Sequence, residues 1–580
     1  MVRRRDIWNV LLWGLVVLTL PALAQESSRQ AEPDLQLGVK ELKAGNLSAA
    51  KEHLLMATVQ DPNNPQIYNL LGFICDQTGQ TELGIRYYQK ALNLYPDFTP
   101  ARNNLAALYL RKGDVDLAIA QFKRTLRSRP DDLTAHYNLG LIYLQKGVYA
   151  KALENLGTAA SISPNDPAVL FLLASAYFEN GEKDKADSVV SRITQVAGRN
   201  AQTLVRVAGL LAENRQYAEA ANILEDANTL SPGNPGILME LSQLYAHLGR
   251  EKEALNSIGQ FVEMLKASPN VSSGTAAYLQ VAEQVLFDVR TQEPHSFQAG
   301  FLLGEVLFLE KQYEAAIDVL KPLSDQAARN PAYFNLLGMC YAGANHFPEA
   351  AKTVEKAINL APKQAELYFN LASIFQKAGN NHSAIKILDR GMAEGKSSAP
   401  TFFALGLSYF NLGDYSDAIR SFKKALAIDP NFVQAQFFVG RCYARFGRRS
   451  EAGRSYQKAV EIGPGFYPAY YQLGLLELDT GNIDKAVLQF LQVTRLEPGY
   501  ADAHYQLGKI YASQGRISEA INQLEKAIAL NSNYDSAYYQ LGRLYEKIGN
   551  MAKAHAMFQI VRAHQKKKLA VYQRKLSGKH

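Results

Sequence analysis

ADAHYQLGKIYASQGRISEAINQLEKAIALNSNY (Ala501–Tyr534) and DSAYYQLGRLYEKIGNMAKAHAMFQIVRAHQKKK (Asp535–Lys568) are two consecutive copies of one pattern. They align without a gap at a spacing of 34 residues. The same spacing, followed backwards, gives eight units over residues 297–568 and seven more over residues 31–268. A period of this size indicates a solenoid, in which copies of one small structural unit stack on each other.

Each unit has the pattern of two helices. Apolar or small residues recur at unit positions 4, 7, 8 and 11, as at Leu507 and Tyr511, and this spacing places them on one face of a helix. Position 20, in the second helix, is alanine in every unit except for Gly84. Glycine is frequent at position 15, as at Gly413, and proline at position 32, as at Pro430. These residues predict a tight turn between the two helices and a stop after the second.

This set of positions closely resembles the tetratricopeptide repeat family, although tyrosine, histidine or phenylalanine replaces the frequent tryptophan of position 4. The resemblance implies an all-α fold: an α-solenoid, coiled as a right-handed superhelix, of about fifteen helix-turn-helix repeats. It also implies that the first helix of each repeat lines a concave groove. One unit alone buries too little apolar surface to offset its conformational entropy, so the units must stack.

The repeat is interrupted once, at residues 269–296. Thr275–Arg290 has the apolar stripe of a single helix, and Pro294 lies in the stretch that follows it. Two interpretations stay open. The segment is either a degenerate repeat that packs like the others or a junction that divides arrays of seven and eight repeats.

The two ends of the chain differ from the repeats. Residues 1–24 combine three arginines, an apolar run over Val10–Leu20 and Ala22-Leu23-Ala24, which predicts a signal peptide followed by a short linker at 25–30. An uncleaved anchor is the alternative. We therefore expect an exported protein, periplasmic or secreted in a bacterial envelope, with no transmembrane span after cleavage. Residues 562–580 predict a basic C-terminal capping helix and tail, or a contact with an anionic membrane or polymer.

Composition and motifs argue against several classes of protein. The chain is 47% hydrophobic and 20% charged, so disorder throughout is excluded. The net charge of +7 comes mostly from the two ends, and a nucleic-acid partner is therefore not predicted. Cys75, Cys340 and Cys442 are far apart, which favours buried thiols over disulfides. No catalytic or metal-binding motif is present, so we expect neither an enzyme nor a cofactor.

The candidate ligand-binding residues come from the eight-repeat array, at positions 5, 6, 9 and 13 of the first helices. These positions lie on or beside the face opposite the packed stripe. They carry aromatic rings, amides and cations: Phe369, Asn370, Phe403, Phe437, Arg441, Arg445, Tyr471, Gln472, Tyr505, Gln506, Lys509, Tyr539, Gln540, Arg543 and Lys547. The aromatic residues have a second interpretation, as ordinary repeat residues packed against the adjoining unit. The cations also have one, as a merely solvated surface.

Such a groove suits an extended chain, because rings offer apolar contact, amides pair with a peptide backbone and cations hold carboxylates. The sequence thus predicts a protein-protein interaction scaffold in the cell envelope that holds extended peptide segments of its partners. The alternative is a subunit of a polysaccharide secretion or envelope assembly machine, with contact between the rings and a glycan.

Overall fold

The computed structural model describes residues 32–198, 200–267, 273–395 and 397–576, and the predicted signal peptide and linker lie outside these ranges. The chain forms two compact units, one ending at Gln292 and one beginning at Glu293. In both, the regular structure of the described residues is helical, and consecutive helices pair as hairpins that stack on their neighbours. The predicted all-α solenoid of tetratricopeptide type is confirmed.

In its described residues, the first unit contains seven hairpins and one further helix. Its helices are α1 (Glu32–Lys43), α2 (Leu47–Gln60), α3 (Pro65–Gln77), α4 (Thr81–Leu94), α5 (Thr99–Lys112), α6 (Val115–Ser128), α7 (Leu133–Gln145), α8 (Tyr149–Ile162), α9 (Pro167–Glu179), α10 (Lys183–Ala197), α11 (Ala201–Glu213), α12 (Tyr217–Leu230), α13 (Pro235–His247), α14 (Glu251–Ala267) and α15 (Ser273–Gln292).

The part of the second unit that the structure describes contains eight hairpins. Its helices are α16 (Phe297–Leu309), α17 (Tyr313–Leu320), α18 (Pro331–Gly343), α19 (Phe347–Leu360), α20 (Ala365–Lys377), α21 (Asn381–Ala393), α22 (Ala399–Leu412), α23 (Tyr415–Ile428), α24 (Val433–Arg445), α25 (Arg449–Ile462), α26 (Tyr467–Asp479), α27 (Ile483–Leu496), α28 (Ala501–Ser513), α29 (Ile517–Leu530), α30 (Asp535–Lys547) and α31 (Met551–Leu576).

The two helices of a hairpin approach closely because position 8 has little or no side chain. A Cβ atom added to Gly474 on α26 would lie 2.7 Å from the ring of Phe490 on α27. The Phe490 side chain is fully buried, and so is Ala486, which occupies position 20. The small residues that define the repeat therefore provide the space into which the largest core side chains pack.

The turn inside each hairpin requires a left-handed backbone at position 15. Gly413, for example, has φ of 89°. Three repeats lack glycine there, and Arg215, Lys311 and Asn345 adopt φ of 61°, 62° and 66° instead. A side chain in this conformation is strained, least so for asparagine. The turn geometry is thus kept even where the residue does not favour it, because the packing of both helices depends on it.

Two second helices depart from the regular pattern. The helix α17 ends at Leu320 and continues as a 3-10 turn at Lys321–Leu323, because Pro322 cannot donate the backbone hydrogen bond that an α-helix needs. At the C-terminus, α31 is one continuous helix of 26 residues. Up to Leu576, the basic segment that begins at Arg562 is the continuation of the second helix of the last repeat.

This long helix is tied to the first helix of its hairpin. The Asp535 carboxylate, on α30, accepts a hydrogen bond from Lys568 at 2.6 Å and lies 2.7 Å from Nδ1 of His564. The Lys568 ammonium and the His564 ring lower the pKa of the Asp535 carboxyl. Some of the basic residues thus make contacts within the repeat.

The lone helix α15 packs differently from the first helix of a repeat. Against the preceding hairpin, a first helix elsewhere packs more on the second helix than on the first. The helix α15 instead packs more on the first helix, α13, than on the second helix, α14. Its buried side chains include Leu279, Val285 and Leu286, and the rings of Tyr278 and Phe261 meet edge to face. The segment therefore does not pack as a shortened copy of a repeat.

Candidate partner-binding groove

The structure presents the candidate aromatic residues on successive first helices, with different degrees of exposure. Tyr539 is 48% exposed and Phe369 is 36% exposed. Phe403, Tyr471 and Tyr505 are half-buried. Phe437 is buried at 7% and packs against the rings of three neighbours. Phe437 therefore stabilises the core, and we no longer count its ring among those available for partner contact.

A second column of aromatic residues, which the sequence analysis missed, packs against the first. It occupies position 34, the residue just before the next first helix. The ring centroids of Phe403 and Phe432 are 4.9 Å apart, and those of Tyr505 and Tyr534 are 4.8 Å apart. The two repeats between them have the same pairs: Phe437 with Phe466 at 5.3 Å and Tyr471 with Tyr500 at 5.1 Å.

At the same position, most other repeats have a residue that caps the following helix. The side chains that accept a hydrogen bond there from a backbone N–H are Asn64, Asp132, Asp166, Asn200, Asn234, Ser296, Asn330 and Ser398. Phe98 and Gln364 make no such bond. The four aromatic residues from Phe432 to Tyr534 make none either. A cap contributes about 1 kcal/mol, so the four repeats over residues 399–534 have paired rings in place of this contribution.

The signal for this column was present in the sequence. Reading position 34 down the array shows a change from asparagine, aspartate and serine to Phe432, Phe466, Tyr500 and Tyr534. The pairing with position 5 was not visible, because these two positions are almost a full repeat apart in the chain. Only the packing of the hairpin brings them together.

The hydroxyls of Tyr471, Tyr500 and Tyr534 in this cluster stay protonated over the whole neutral range. Tyr534 donates to the carboxylate of Asp502 at 2.5 Å, and Tyr471 is hydrogen-bonded to Gln506. Burial raises the pKa of Tyr534, and the hydrogen bond to Asp502 raises it further. Burial likewise raises the pKa of Tyr471, and that of Tyr500 to about 12. These aromatic side chains therefore form an apolar surface whose edge carries uncharged tyrosine hydroxyls.

Five cations lie at positions 9 and 13 of the same first helices. Arg445, Lys509, Arg543 and Lys547 are exposed, and Arg441 is half-exposed. The Arg441 guanidinium stacks over the rings of Phe410 and Phe438, at 4.9 Å and 5.2 Å. The Lys509 ammonium lies 5.6 Å from the centre of the Tyr505 ring. Within the part of the chain that the structure describes, none of the five cations forms an ion pair with a carboxylate.

Two of the four candidate amides form hydrogen bonds with a neighbouring repeat. Asn370 donates to the side chain of Asn335, one repeat earlier, at 3.0 Å. Gln506 is occupied by Tyr471, as described above. Gln472 and Gln540 are half-buried. Asn370 and Gln506 thus link neighbouring repeats.

The cysteines are part of the core. Cys75, Cys340 and Cys442 are free thiols and fully buried, as the sequence predicts. Burial raises the pKa of Cys340 and of Cys442 to about 12. Among the described residues, no three side chains of His, Cys, Asp and Glu gather as a set that could hold a metal ion. The helices of those residues include none with the length and apolar character of a membrane span.

Family profiles agree with this architecture. Profiles described as TPR repeat or Tetratricopeptide repeat match residues 65–98, 103–167, 143–206, 211–271, 365–392, 403–465, 474–515 and 508–549. A profile described as Anaphase-promoting complex, cyclosome, subunit 3 matches residues 278–357. The tetratricopeptide matches together cover well over half of the chain.

Individual relatives match over short stretches. The uncharacterized protein ycf37 of Cyanophora paradoxa is 56% identical over 43 residues, which are 7% of this chain and 25% of the relative. The probable biofilm formation methyltransferase WspC of Pseudomonas putida is 34% identical over 95 residues, which are 16% of this chain and 22% of the relative. The chain thus spans a quarter or less of these curated relatives. The crystal structure of MamA aligns with 31% identity and a TM-score of 0.27, covering 29% of this chain and 97% of that one.

Proposed function

The chain belongs to the tetratricopeptide repeat family, and we propose that it acts as a non-enzymatic scaffold that holds extended segments of partner proteins in the groove of its second unit. The family and the fold support protein binding in general. The choice of the second unit rests on one observation. In the described part of this unit, cations without a carboxylate partner lie in the repeats that begin at residues 433, 501 and 535. The rings of positions 5 and 34 pair in the four repeats over residues 399–534.

The chemistry of this surface favours an extended segment that carries acidic and apolar side chains. Neighbouring first helices in a stack lie about 10 Å apart, and an extended chain advances about 3.3 Å per residue. One repeat therefore corresponds to about three residues of the partner. Tyr471, Tyr505 and Tyr539 offer ring faces, while Arg441, Lys509 and Arg543 can each pair with a carboxylate.

The proposal is tested with selected peptides. A phage-displayed library of random peptides is bound to the full chain, and the affinity of synthetic copies of the enriched peptides is measured by calorimetry. We expect enriched sequences to combine acidic and apolar residues. The double variant Arg441→Glu and Arg543→Glu is expected to weaken their binding by at least about tenfold, because it replaces attraction by repulsion at two points.

The matched control is Arg495→Glu, which reverses an exposed charge on the second helix α27, away from the proposed contact positions. It should leave the affinity unchanged. Equal weakening by the control would show that the effect comes from net charge. Unchanged binding in the double variant would remove the second-unit groove as the site.

We also propose, from residues 1–24, that the protein is exported. The experiment is a fusion of alkaline phosphatase to the C-terminus, expressed in bacteria with and without these residues. Because the enzyme is active only after export, we expect activity that depends on residues 1–24. N-terminal sequencing of the exported product then distinguishes cleavage after Ala24 from a retained anchor.

A further inference from the structure

The first unit contains a polar group that its own fold leaves unsatisfied. Tyr137 lies at position 5 of the repeat 133–166, and its side chain is only 5% exposed. Its hydroxyl is buried and has no hydrogen-bond partner among the residues that the structure describes. By comparison, Tyr68, Tyr333 and Tyr534, which are also buried or half-buried, each donate to an oxygen. A buried hydroxyl without a partner destabilises the fold, and such a group calls for an explanation.

An arginine without a carboxylate partner lies beside this tyrosine. Arg206 is at position 6 of the repeat 201–234, and its guanidinium carbon lies 4.7 Å from the centre of the Phe171 ring. Phe171 occupies position 5 of the repeat between Tyr137 and Arg206. Burial raises the pKa of Tyr137 to about 12, and the nearby charge of Arg206 lowers it in part. In the described part of the chain Arg206 forms no ion pair, so its charge is free to attract an anion.

The surroundings of Arg206 strengthen this attraction. Arg206 is exposed, and the protein atoms on the inner side of its guanidinium lower its pKa by desolvation. The group keeps its proton because an arginine pKa starts far above neutrality. A charge that has lost part of its hydration interacts more strongly with an incoming counter-ion than a fully solvated one.

One acidic residue limits what can bind next to it. Glu240 stands at position 6 of the following repeat, and burial raises the pKa of its carboxyl. A second negative charge about three residues further along an extended segment would lie near this carboxyl and disfavour its ionised form. The arrangement therefore suits a single acidic residue followed by neutral or basic ones, rather than a continuous acidic run.

We propose that Tyr137, Phe171 and Arg206 form a second binding site, in the first unit, for one carboxylate side chain of an extended protein segment. The guanidinium of Arg206 pairs with the carboxylate, and the Tyr137 hydroxyl donates the hydrogen bond that it lacks in the free protein. The hydroxyl is covered in the free state, so the flexible Arg206 side chain turns from the Phe171 ring towards the ligand as it binds. The ring of Phe171 then packs against the aliphatic part of the acidic residue.

This site and the proposed function share only the premise that the protein binds peptides. The test of this site therefore uses a variant in which the groove of the second unit is disabled. The bait is the full chain with Arg441→Glu and Arg543→Glu, which disables the proposed site of the second unit. A phage-displayed library of random peptides is selected on this bait. We expect enriched peptides with one Asp or Glu at a shared position and no acidic residue about three positions away.

Synthetic copies of these peptides are then titrated by calorimetry. Arg206→Gln is expected to weaken binding by about tenfold or more, because the ion pair is lost. Arg192→Gln, which changes an exposed arginine on the second helix α10, is the matched control and should leave affinity unchanged. Replacing the acidic residue of the peptide by its amide should cause a similar loss in the parent bait and almost none in Arg206→Gln.

Tyr137→Phe separates a binding role from a packing role. It keeps the ring and removes only the unsatisfied hydroxyl, so the melting temperature should stay the same or rise while peptide affinity falls about fivefold or more. Three results would overturn the proposal: no acidic position among the selected peptides, unchanged affinity in Arg206→Gln, or unchanged affinity in Tyr137→Phe. Displacement of the peptide by millimolar inorganic phosphate would overturn the assignment to a single carboxylate.

Discussion

A pair of glycines in one hairpin allows the packing argument for this fold to be tested quantitatively. Gly140 lies on α7 and Gly157 on α8, so both are inside helices of the same repeat. A Cβ atom added to Gly140 would overlap the side chain of Leu156, with Cδ2 only 2.7 Å away. Leu156 is fully buried and cannot move aside. A Cβ atom added to Gly157 meets no atom within 4 Å.

Two opposing contributions determine how each substitution changes the free energy of unfolding. Alanine is more favourable than glycine inside a helix by about 1 kcal/mol, and both substitutions gain this amount. Overpacking of a close-packed site costs about 1–3 kcal/mol, and only Gly140→Ala incurs it. Gly157→Ala should therefore increase the free energy of local unfolding by about 1 kcal/mol. Gly140→Ala should be less stable than Gly157→Ala by about 1–3 kcal/mol.

The assay must be local, because long repeat arrays do not unfold in one two-state step. Hydrogen exchange of the full chain, followed by mass spectrometry on peptides from residues 133–162, reports the opening free energy of this hairpin. We expect faster exchange in Gly140→Ala than in Gly157→Ala, with peptides of the second unit unchanged. Equal protection in the two variants would refute the argument that position 8 is small because of the side chain that packs on it.

Three further predictions concern other features of the fold. Arg215→Gly and Lys311→Gly should each stabilise their repeat by about 1 kcal/mol, because glycine adopts the left-handed turn without strain. Asn345→Gly should gain less, and hydrogen exchange of peptides from each of the three repeats checks this order. Cys340 and Cys442 should resist a thiol reagent in the native protein at pH 8 and react in denaturant. Burial raises the pKa of both thiols to about 12 from 9.0, so their contribution to stability is complete below pH 9 and is lost as the pH rises towards 12. The urea midpoint should therefore fall over that pH range. It should fall less steeply in the double variant that combines Cys340→Ala and Cys442→Ala. Asp166→Ala should lower the opening free energy of α9 by about 1 kcal/mol through loss of the cap, seen as faster exchange at Ala168 and Val169, the two N–H groups that this carboxylate accepts from.

The candidate groove could be predicted only in part. The sequence places cations and rings at the right helical positions, since a face of a helix follows from spacing alone. It does not distinguish Tyr539, which is exposed, from Phe437, which is buried, although both occupy position 5. That difference depends on the partners of each ring. Phe437 meets Phe438, Tyr456 and Phe466, whereas Tyr539 contacts Phe558 alone among its ring neighbours.

By itself, the sequence determined the repeat, its hairpins, its turns and its buried thiols. These features depend on contacts inside one 34-residue unit or between identical neighbours, so the period alone specifies them. The tertiary structure decided the features that depend on which side chains meet across helices. It placed α15 against α13, paired position 5 with position 34, and left the Tyr137 hydroxyl beside Arg206 without a hydrogen bond. Such contacts join residues that are distant in the chain or differ from repeat to repeat, and no periodic pattern encodes them.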